Sequence, residues 1–113
     1  MTEARQPGAL LPGTLDVLIL QALRAEARHG LGIARRIEQM TDHAFAVKAG
    51  SLFPALYRLE RSGFVRSKPG ESETRRQARF YTLTTSGRTH LRDESATWRR
   101  LADALGRALR SET

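Results

Sequence analysis

The chain has 113 residues, enough for one domain with at most one appended element. Nineteen lysines and arginines against twelve acidic residues give a net charge of +7. This charge favours a polyanionic partner, because cationic side chains release condensed counterions from phosphates, although an inert basic surface is the alternative. The absence of cysteine excludes disulfides, thiolate catalysis and cysteine zinc sites. The start lacks a signal-peptide pattern and the longest apolar run, residues 17–20, cannot span a bilayer, so we expect a cytoplasmic protein with no membrane partner.

The first predicted helix follows a polar lead-in over residues 1–13, which contains two Pro-Gly pairs. Thr14 is a suitable N-cap, and Asp16 lies in the first turn, where the helix dipole favours an anion. The helix is predicted to end at about Glu26. It is apolar on more than one side, which indicates burial against several elements.

A turn is predicted at residues 28–30, followed by a second helix over residues 31–40 with one apolar face. Residues 44–47 (A-F-A-V) form a short extended segment and a candidate third strand.

A third helix is predicted from about residue 50 to 62, with a single apolar stripe formed by Leu52, Ala55, Leu56 and Leu59. Ser51 is a suitable N-cap, Pro54 is expected in the first turn, where its missing N–H has no effect, and Gly63 ends the helix.

Residues 64–68 and 78–83 alternate with a period near two, which predicts a half-buried hairpin. The intervening polar loop, residues 69–77, begins with Pro-Gly and ends with two arginines. A short helix followed by a basic ribbon in a cationic chain is typical of a winged helix-turn-helix. The predicted fold is therefore mainly α with a small β-hairpin (α+β), and the predicted partner is double-stranded DNA.

In such a protein the helix over residues 50–62 enters the major groove, and the wing over residues 69–77 lies on the backbone or in the minor groove. Which side chains contact bases and which contact phosphates is not decided by the pattern. The candidate DNA-binding residues are Lys48, Ser51, Pro54, Tyr57, Arg58, Arg61, Lys68, Arg75 and Arg76.

The last helix is predicted from Thr84 or Thr85 to about Leu109. Some 25 residues make a rod of roughly 37 Å, longer than a small domain is wide. Leu91, Trp98 and Leu105 recur every seven residues with Leu101 in the second seam position, which indicates a helical pairing face. We therefore expect a homodimer held by this helix, the alternative being a long helix lying across its own domain. The predicted division is lead-in 1–13, winged domain 14–84 and dimerisation helix and tail 85–113.

Trp98 is the only tryptophan and lies in the middle of the predicted seam. Two symmetry-related indoles could line an apolar slot for a planar aromatic ligand, or they could simply pack in the interface. The candidate residues for the ligand site or dimer interface are Leu91, Trp98, Leu101 and Leu105.

Catalytic signals are missing from the sequence. His29, His43 and His90 have no metal-ligand spacing, and no Walker A, G-x-G-x-x-G or G-x-S-x-G motif occurs. We predict no enzymatic activity, no cofactor and no metal site.

Four motifs together resemble the PadR family of bacterial transcriptional regulators, and the resemblance extends over about residues 10 to 109. They are L-P-G-T-L-D-V-L-I-L at 11–20, H-G-L-G-I at 29–33, G-S-L-F-P-A-L-Y-R-L-E at 50–60 and R-F-Y-T-L-T at 79–84 followed by Gly87. The resemblance implies a winged-helix dimer, usually a repressor of a palindromic operator and often released by a small aromatic molecule. The short single C-terminal helix is similar to that of the compact subgroup of the family. Some multidrug-sensing members of this subgroup use a tryptophan in this helix to stack a ligand at the dimer centre, and Trp98 matches that position.

Two positions depart from the family pattern, which usually has tyrosine where this chain has Leu31 and Phe53. Phe53 lacks the hydroxyl that could bind a phosphate, and Leu31 is expected to keep the bulk needed for packing. Activation instead of repression stays open. The rival hypothesis is a winged-helix protein-interaction module without specific DNA binding.

Overall fold

Four helices and three short strands make up the described part of the chain, residues 13–111 of a computed structural model. The strands form one antiparallel sheet in the order β1-β3-β2, which confirms the predicted α+β class. The predicted lead-in lies outside the described residues except for Gly13. The elements are α1 Thr14–Ala22, β1 Arg28–His29, α2 Gly30–Met40, α3 Ala49–Arg61, β2 Val65–Glu71, β3 Gln77–Leu83 and α4 Thr85–Arg110.

The core is formed by the apolar faces of α1, α2 and α3, by the start of α4 and by buried residues of β2 and β3, and α1 packs against the three other helices. The predicted stripe of α3 is buried along its whole length, with no member more than 3% exposed. Burial of this stripe orients the helix, because the opposite face must then remain in solvent. The largest fully buried side chains are Ile19, Leu20, Leu23, Ile33, Ile37, Leu52, Leu56 and Val65.

Helix α1 is shorter than predicted. It ends at Ala22 rather than Glu26, and Gly13 occupies the N-cap position expected for Thr14. The amide of Leu23 donates to two carbonyls, those of Ile19 and Leu20, at 3.1 Å each, which tightens the last turn. Residues 24–27 are exposed, so no apolar contact favours extending the helix. The predicted position of Asp16 in the first turn is confirmed.

The third strand is not where the sequence pattern suggested. Residues 44–47 form no strand, whereas Arg28 and His29, predicted as a turn, pair with Tyr81 and Phe80 of β3. A two-residue strand is too short to show a period, so only the neighbouring strand reveals it. His29 also caps α2, since its Nδ1 accepts a hydrogen bond from the amide of Gly32 at 3.1 Å.

Helix α3 begins at Ala49, within a residue of the predicted start, but its N-cap is Lys48. Ser51 is therefore not the cap, and Pro54 is the sixth helical residue and lies beyond the first turn. A proline there removes the N–H that would bond to the carbonyl of Gly50. Both residues are exposed, so water can satisfy that carbonyl. Gly63 ends the helix as predicted, with a φ of 80° that favours glycine.

The hairpin is longer than predicted, because Pro69 and Gly70 belong to β2 rather than to the loop. They pair with Arg79 and Ala78 of β3. β2 is an edge strand, where proline is tolerated because one side of the strand needs no hydrogen-bond donors. The connecting loop is therefore only residues 72–76.

Helix α4 has the predicted bounds to within a residue. The hydroxyl of Thr84 accepts from the amide of Gly87 at 2.9 Å and donates to the carbonyl of Gly63 at 2.6 Å. A Cβ at Gly87 would lie 2.0 Å from the carbonyl oxygen of Phe64, so glycine is required for this approach. The start of α4 is thereby fixed against the junction between α3 and β2.

Candidate nucleic-acid interface

The exposed face of α3 carries most of the predicted helix contacts. Lys48, Pro54, Tyr57 and Arg61 are exposed, whereas Ser51 is half-buried. The guanidinium of Arg61 lies 5.7 Å from the centre of the Tyr57 ring, within the range of a cation–π contact. The helix therefore presents an aromatic ring and cations together on its open side.

Arg58 is exposed but has a partner within the protein. Its Nη2 lies 3.0 Å from Oδ1 of Asp16, and this ion pair connects α3 to the first turn of α1. A DNA phosphate that binds Arg58 would have to share its guanidinium with Asp16 or displace the Asp16 carboxylate. This ion pair distinguishes Arg58 from Tyr57 and Arg61 on the same helix.

The cationic end of the hairpin extends over residues 68–79, which is wider than the segment 69–77 predicted as the wing, and from here on the wing means residues 68–79. Its turn is held by two backbone hydrogen bonds. The amide of Arg75 donates to the carbonyl of Ser72 at 2.8 Å, and the amide of Ser72 donates to that of Arg76 at 2.9 Å. Within the loop of residues 72–76, the bond between Ser72 and Arg76 encloses three residues, 73–75. Arg75 is the last of these and adopts a φ of 64°, as expected for a three-residue hairpin turn with a bulge. The cations predicted here, Lys68, Arg75 and Arg76, are all exposed.

Glu73 attaches the wing tip to the body of the domain, a role that the sequence did not indicate. Its carboxylate lies 3.2 Å from Nε2 of His29 and 3.3 Å from Nη1 of Arg35. Because Nδ1 of His29 accepts from Gly32, the ring proton of a neutral His29 must be on Nε2, where it donates to Glu73. A bond from its own backbone amide, followed by the bond with His29, holds the pKa of Glu73 below its usual range.

A cleft of about 500 Å³ lies between the wing, the start of α2 and α3. Phe53 and Leu31 line it and are 47% and 57% exposed, so the expectation that Leu31 is needed for packing is wrong. Arg76 and Arg79 contribute from the wing. The cleft therefore brings α3 and the cationic wing to one surface, with an apolar patch between them.

The four residues predicted for the ligand site or dimer interface have different environments. Leu91 is 5% exposed and belongs to the core of its own domain. Trp98 is half-buried, and Leu101 and Leu105 are 41% and 50% exposed. The open apolar stripe of α4 thus begins near Trp98 and continues toward the C-terminal end of the helix, where Leu109 is 83% exposed.

A comparison with known protein families identifies the family of this chain. The sequence profile of the transcriptional regulator PadR-like family matches residues 19–93. The chain belongs to this family. The match confirms the resemblance drawn from the four motifs, and it includes α3, the wing and the start of α4.

Solved structures of PadR-like and other transcriptional regulators share the fold. A PadR family transcriptional regulator from Eggerthella lenta is 29% identical with a TM-score of 0.72, covering 88% of this chain and 85% of its own. A transcriptional regulator from Clostridium thermocellum is 26% identical with a TM-score of 0.74, covering 84% and 92%. Bacillus subtilis PadR in complex with operator DNA is 28% identical with a TM-score of 0.62, covering 70% of this chain and 46% of that chain.

A comparison with curated protein sequences found no match. Within residues 13–111, no helix is both long and apolar enough to cross a membrane. In the same part of the chain, no three His, Asp or Glu side chains are grouped so that they could hold a metal ion.

Proposed function

We propose that this PadR-like protein is a homodimeric repressor that binds a palindromic operator through α3 and the wing. The observation that carries the proposal is the shared cleft, which places Phe53 of α3 beside Arg76 and Arg79 of the wing. A helix in the major groove and a cationic hairpin on the adjoining backbone can then engage one DNA segment together. The operator complex of the related Bacillus subtilis PadR supports the assignment of DNA as the partner.

The proposed helix contacts are Tyr57, Arg61 and Lys48, with Ser51 and Pro54 near the helix start. Arg58 joins them where a phosphate replaces Asp16, and the wing contributes Lys68, Arg75 and Arg76. Arginine suits such positions because its planar group can donate two parallel hydrogen bonds to a phosphate. We further propose that the protein acts in the cytoplasm and without catalysis.

The proposed dimer forms through α4. Leu101 and Leu105 are spaced by one helical turn and leave apolar surface in solvent that a second copy would cover. Trp98 lies at the start of this stripe. We assign it to the interface and to an aromatic effector that would alter DNA affinity by binding there.

The experiment that tests this function is a gel shift of the full chain against the DNA upstream of its own gene. Competitor DNA is present in excess, and two salt concentrations are compared. A discrete complex that survives competitor supports sequence-specific recognition. Absence of binding to any DNA at low salt would refute the proposal.

A second candidate function is a protein-interaction module, favoured by the exposed apolar pair Leu31 and Phe53. The dependence of binding on salt distinguishes the two functions. A DNA complex weakens steeply as salt rises, whereas an apolar protein interface does not.

A further inference from the structure

The exposed side of α3 is apolar at the start of the helix. Its exposed residues there are Ala49, Gly50, Phe53 and Pro54, none of which has a polar side chain. The one hydroxyl of this segment, on Ser51, is half-buried, and the next exposed polar side chain along the helix is that of Tyr57. Apart from the partly covered hydroxyl, the side chains of this segment can offer a partner only apolar atoms.

Phe53 is the largest of these side chains, and its ring is held against the start of α2. A Cβ on Gly30 would lie 2.6 Å from Cζ and 2.9 Å from Cε1 of the ring, so the ring occupies space that a side chain at Gly30 would fill. Phe53 is nevertheless 47% exposed. The open part of the ring is therefore presented in a fixed position, and a partner that contacts it need not immobilise a mobile side chain.

Cationic side chains surround this apolar surface. Arg35 of α2 and Arg76 and Arg79 of the wing line the same cleft as Phe53. Among the described residues that line it, the one carboxylate is that of Glu73, which is already bonded within the protein. A neutral partner would remove these cations from water without compensation, so a partner that brings an apolar group to Phe53 must carry negative charge beside it.

Thymine in double-stranded DNA has this combination of properties. The 5-methyl group of thymine is the apolar group that distinguishes base pairs in the major groove, and phosphates lie on both sides of the groove. Helix-turn-helix proteins contact base edges with the N-terminal residues of their major-groove helix, which is the part of α3 that contains Phe53.

We propose that Phe53 reads thymine in the operator, through contact of its ring with the 5-methyl group. Each half-site then contains a thymine at the position that Phe53 faces, and cytosine or uracil is disfavoured there because both lack the methyl group. The inference rests on the proposed function, because it requires α3 to lie in the major groove.

The test is a binding titration of the full chain with the upstream DNA fragment, amplified once with thymidine and once with deoxyuridine triphosphate from primers outside the bound region. The exchange removes the 5-methyl groups and retains base pairing and phosphates. We expect the unmodified protein to bind the uracil fragment about 10- to 20-fold more weakly, since one methyl contact in each of two half-sites contributes about fourfold. Phe53→Ala should weaken binding to the thymine fragment at least as much, and it should no longer distinguish the two fragments.

Arg76→Gln is the matched control, because Arg76 lines the same cleft. It removes a proposed phosphate contact and should weaken binding to both fragments by the same factor, since phosphate contacts carry no direct information about the bases. The ratio of the thymine affinity to the uracil affinity should therefore equal that of the unmodified protein.

Two results would overturn the proposal. Equal affinity of the unmodified protein for the two fragments would do so without requiring any variant to fold. A Phe53→Ala variant that keeps the full affinity ratio would assign the methyl contact to another side chain. A discrete operator complex that is indifferent to the exchange refutes only the methyl contact, whereas the absence of a complex with either fragment refutes the repressor function as well.

Discussion

Arg75 and Arg76 are the residues most directly available to a DNA backbone. Within residues 13–111, neither has a carboxylate within ion-pair distance, whereas Arg58 on α3 is held by Asp16. We expect Arg75→Gln and Arg76→Gln each to weaken binding to all DNA sequences and to reduce the slope of log affinity against log salt by about 1. Titrations at several salt concentrations measure both effects.

Glutamine is chosen at Arg75 because it removes the charge and keeps some of the side-chain length. It is also a non-glycine residue, so the backbone strain of the positive φ is the same as with arginine. Arg107→Gln, near the end of α4, is the control for net charge. Unchanged affinity and slope in both wing variants would remove the wing from the interface.

Glu73 is an acidic residue of the wing, and its proposed role is to hold the wing in position through its contacts with His29 and Arg35. Its pKa is lowered in the folded protein, so its contribution to wing attachment is present above the usual value of 4.5 and is lost as pH falls through the lowered pKa. We expect the protection of the amides in residues 72–76, meaning their exchange rate relative to the intrinsic rate at the same pH, to be lost in acid in the unmodified protein. In Glu73→Gln the exchange should already be faster at neutral pH and lose this acid dependence, which hydrogen exchange with mass spectrometry measures.

Glu71→Gln is the matched control, because Glu71 lies on the same hairpin and pairs with Gln77 in the ladder. If Glu73→Gln and Glu71→Gln behave alike, the contact of Glu73 with His29 and Arg35 does not hold the wing.

At the scale of elements, the first turns of α4 attach the helix to its own domain, and its later turns are the proposed dimer interface. Its first turns are fixed to the domain by Thr84, Gly87 and Leu91, and its later turns carry exposed leucines. We expect Leu101→Asp to yield monomers in analytical ultracentrifugation, because a buried charge in a symmetric seam has no partner. Ala96→Asp places the same charge on an exposed position outside the seam and should remain dimeric. A dimeric Leu101→Asp would locate the interface elsewhere.

The contact between α4 and the α3–β2 junction gives a separate stability prediction. Gly87→Ala forces a Cβ to within 2.0 Å of the Phe64 carbonyl oxygen, where only backbone movement can relieve the clash. We expect it to lower the free energy of unfolding by about 1–3 kcal/mol. Gly50→Ala meets no atom within 4 Å in α3 and should raise the free energy by roughly 0.5–1 kcal/mol, since alanine favours a helix.

Chemical denaturation of the two glycine variants measures the difference. Equal stability of Gly87→Ala and the unmodified protein would mean that α4 is not seated on Phe64 in solution.

At the scale of the whole molecule, two copies related by a two-fold axis would present two α3 helices and two wings to DNA. Such symmetry requires inverted half-sites whose centres lie about 34–36 Å apart, or a multiple of that. Footprinting of the operator complex should show this spacing. Leu101→Asp should still bind a single half-site weakly, but it should lose the additional affinity that the second half-site gives to a dimer. A footprint with half-sites in direct repeat would contradict the symmetric dimer.

The sequence alone was sufficient for the features that depend on local periodicity. The stripe of Leu52, Ala55, Leu56 and Leu59 predicted both α3 and its buried face, because a helix repeats its environment every three to four residues. The alternation of buried and exposed residues in β3 and the end of α3 at Gly63 likewise depend only on residues that are close in the sequence. The motifs containing these residues also identified the family, which the profile match confirmed.

Tertiary structure decided what depends on residues distant in the chain. His29 becomes a strand residue only because Phe80 of β3 lies beside it, and Pro69 is tolerated in β2 only because that strand is at the edge of the sheet. The bond between Glu73 and His29 spans 44 residues, and the bond from Arg88 to the carbonyl of Arg24 spans 64. Hydrogen-bond pairing and charge clustering of this kind leave no periodic pattern in the sequence, because they are set by which elements pack together.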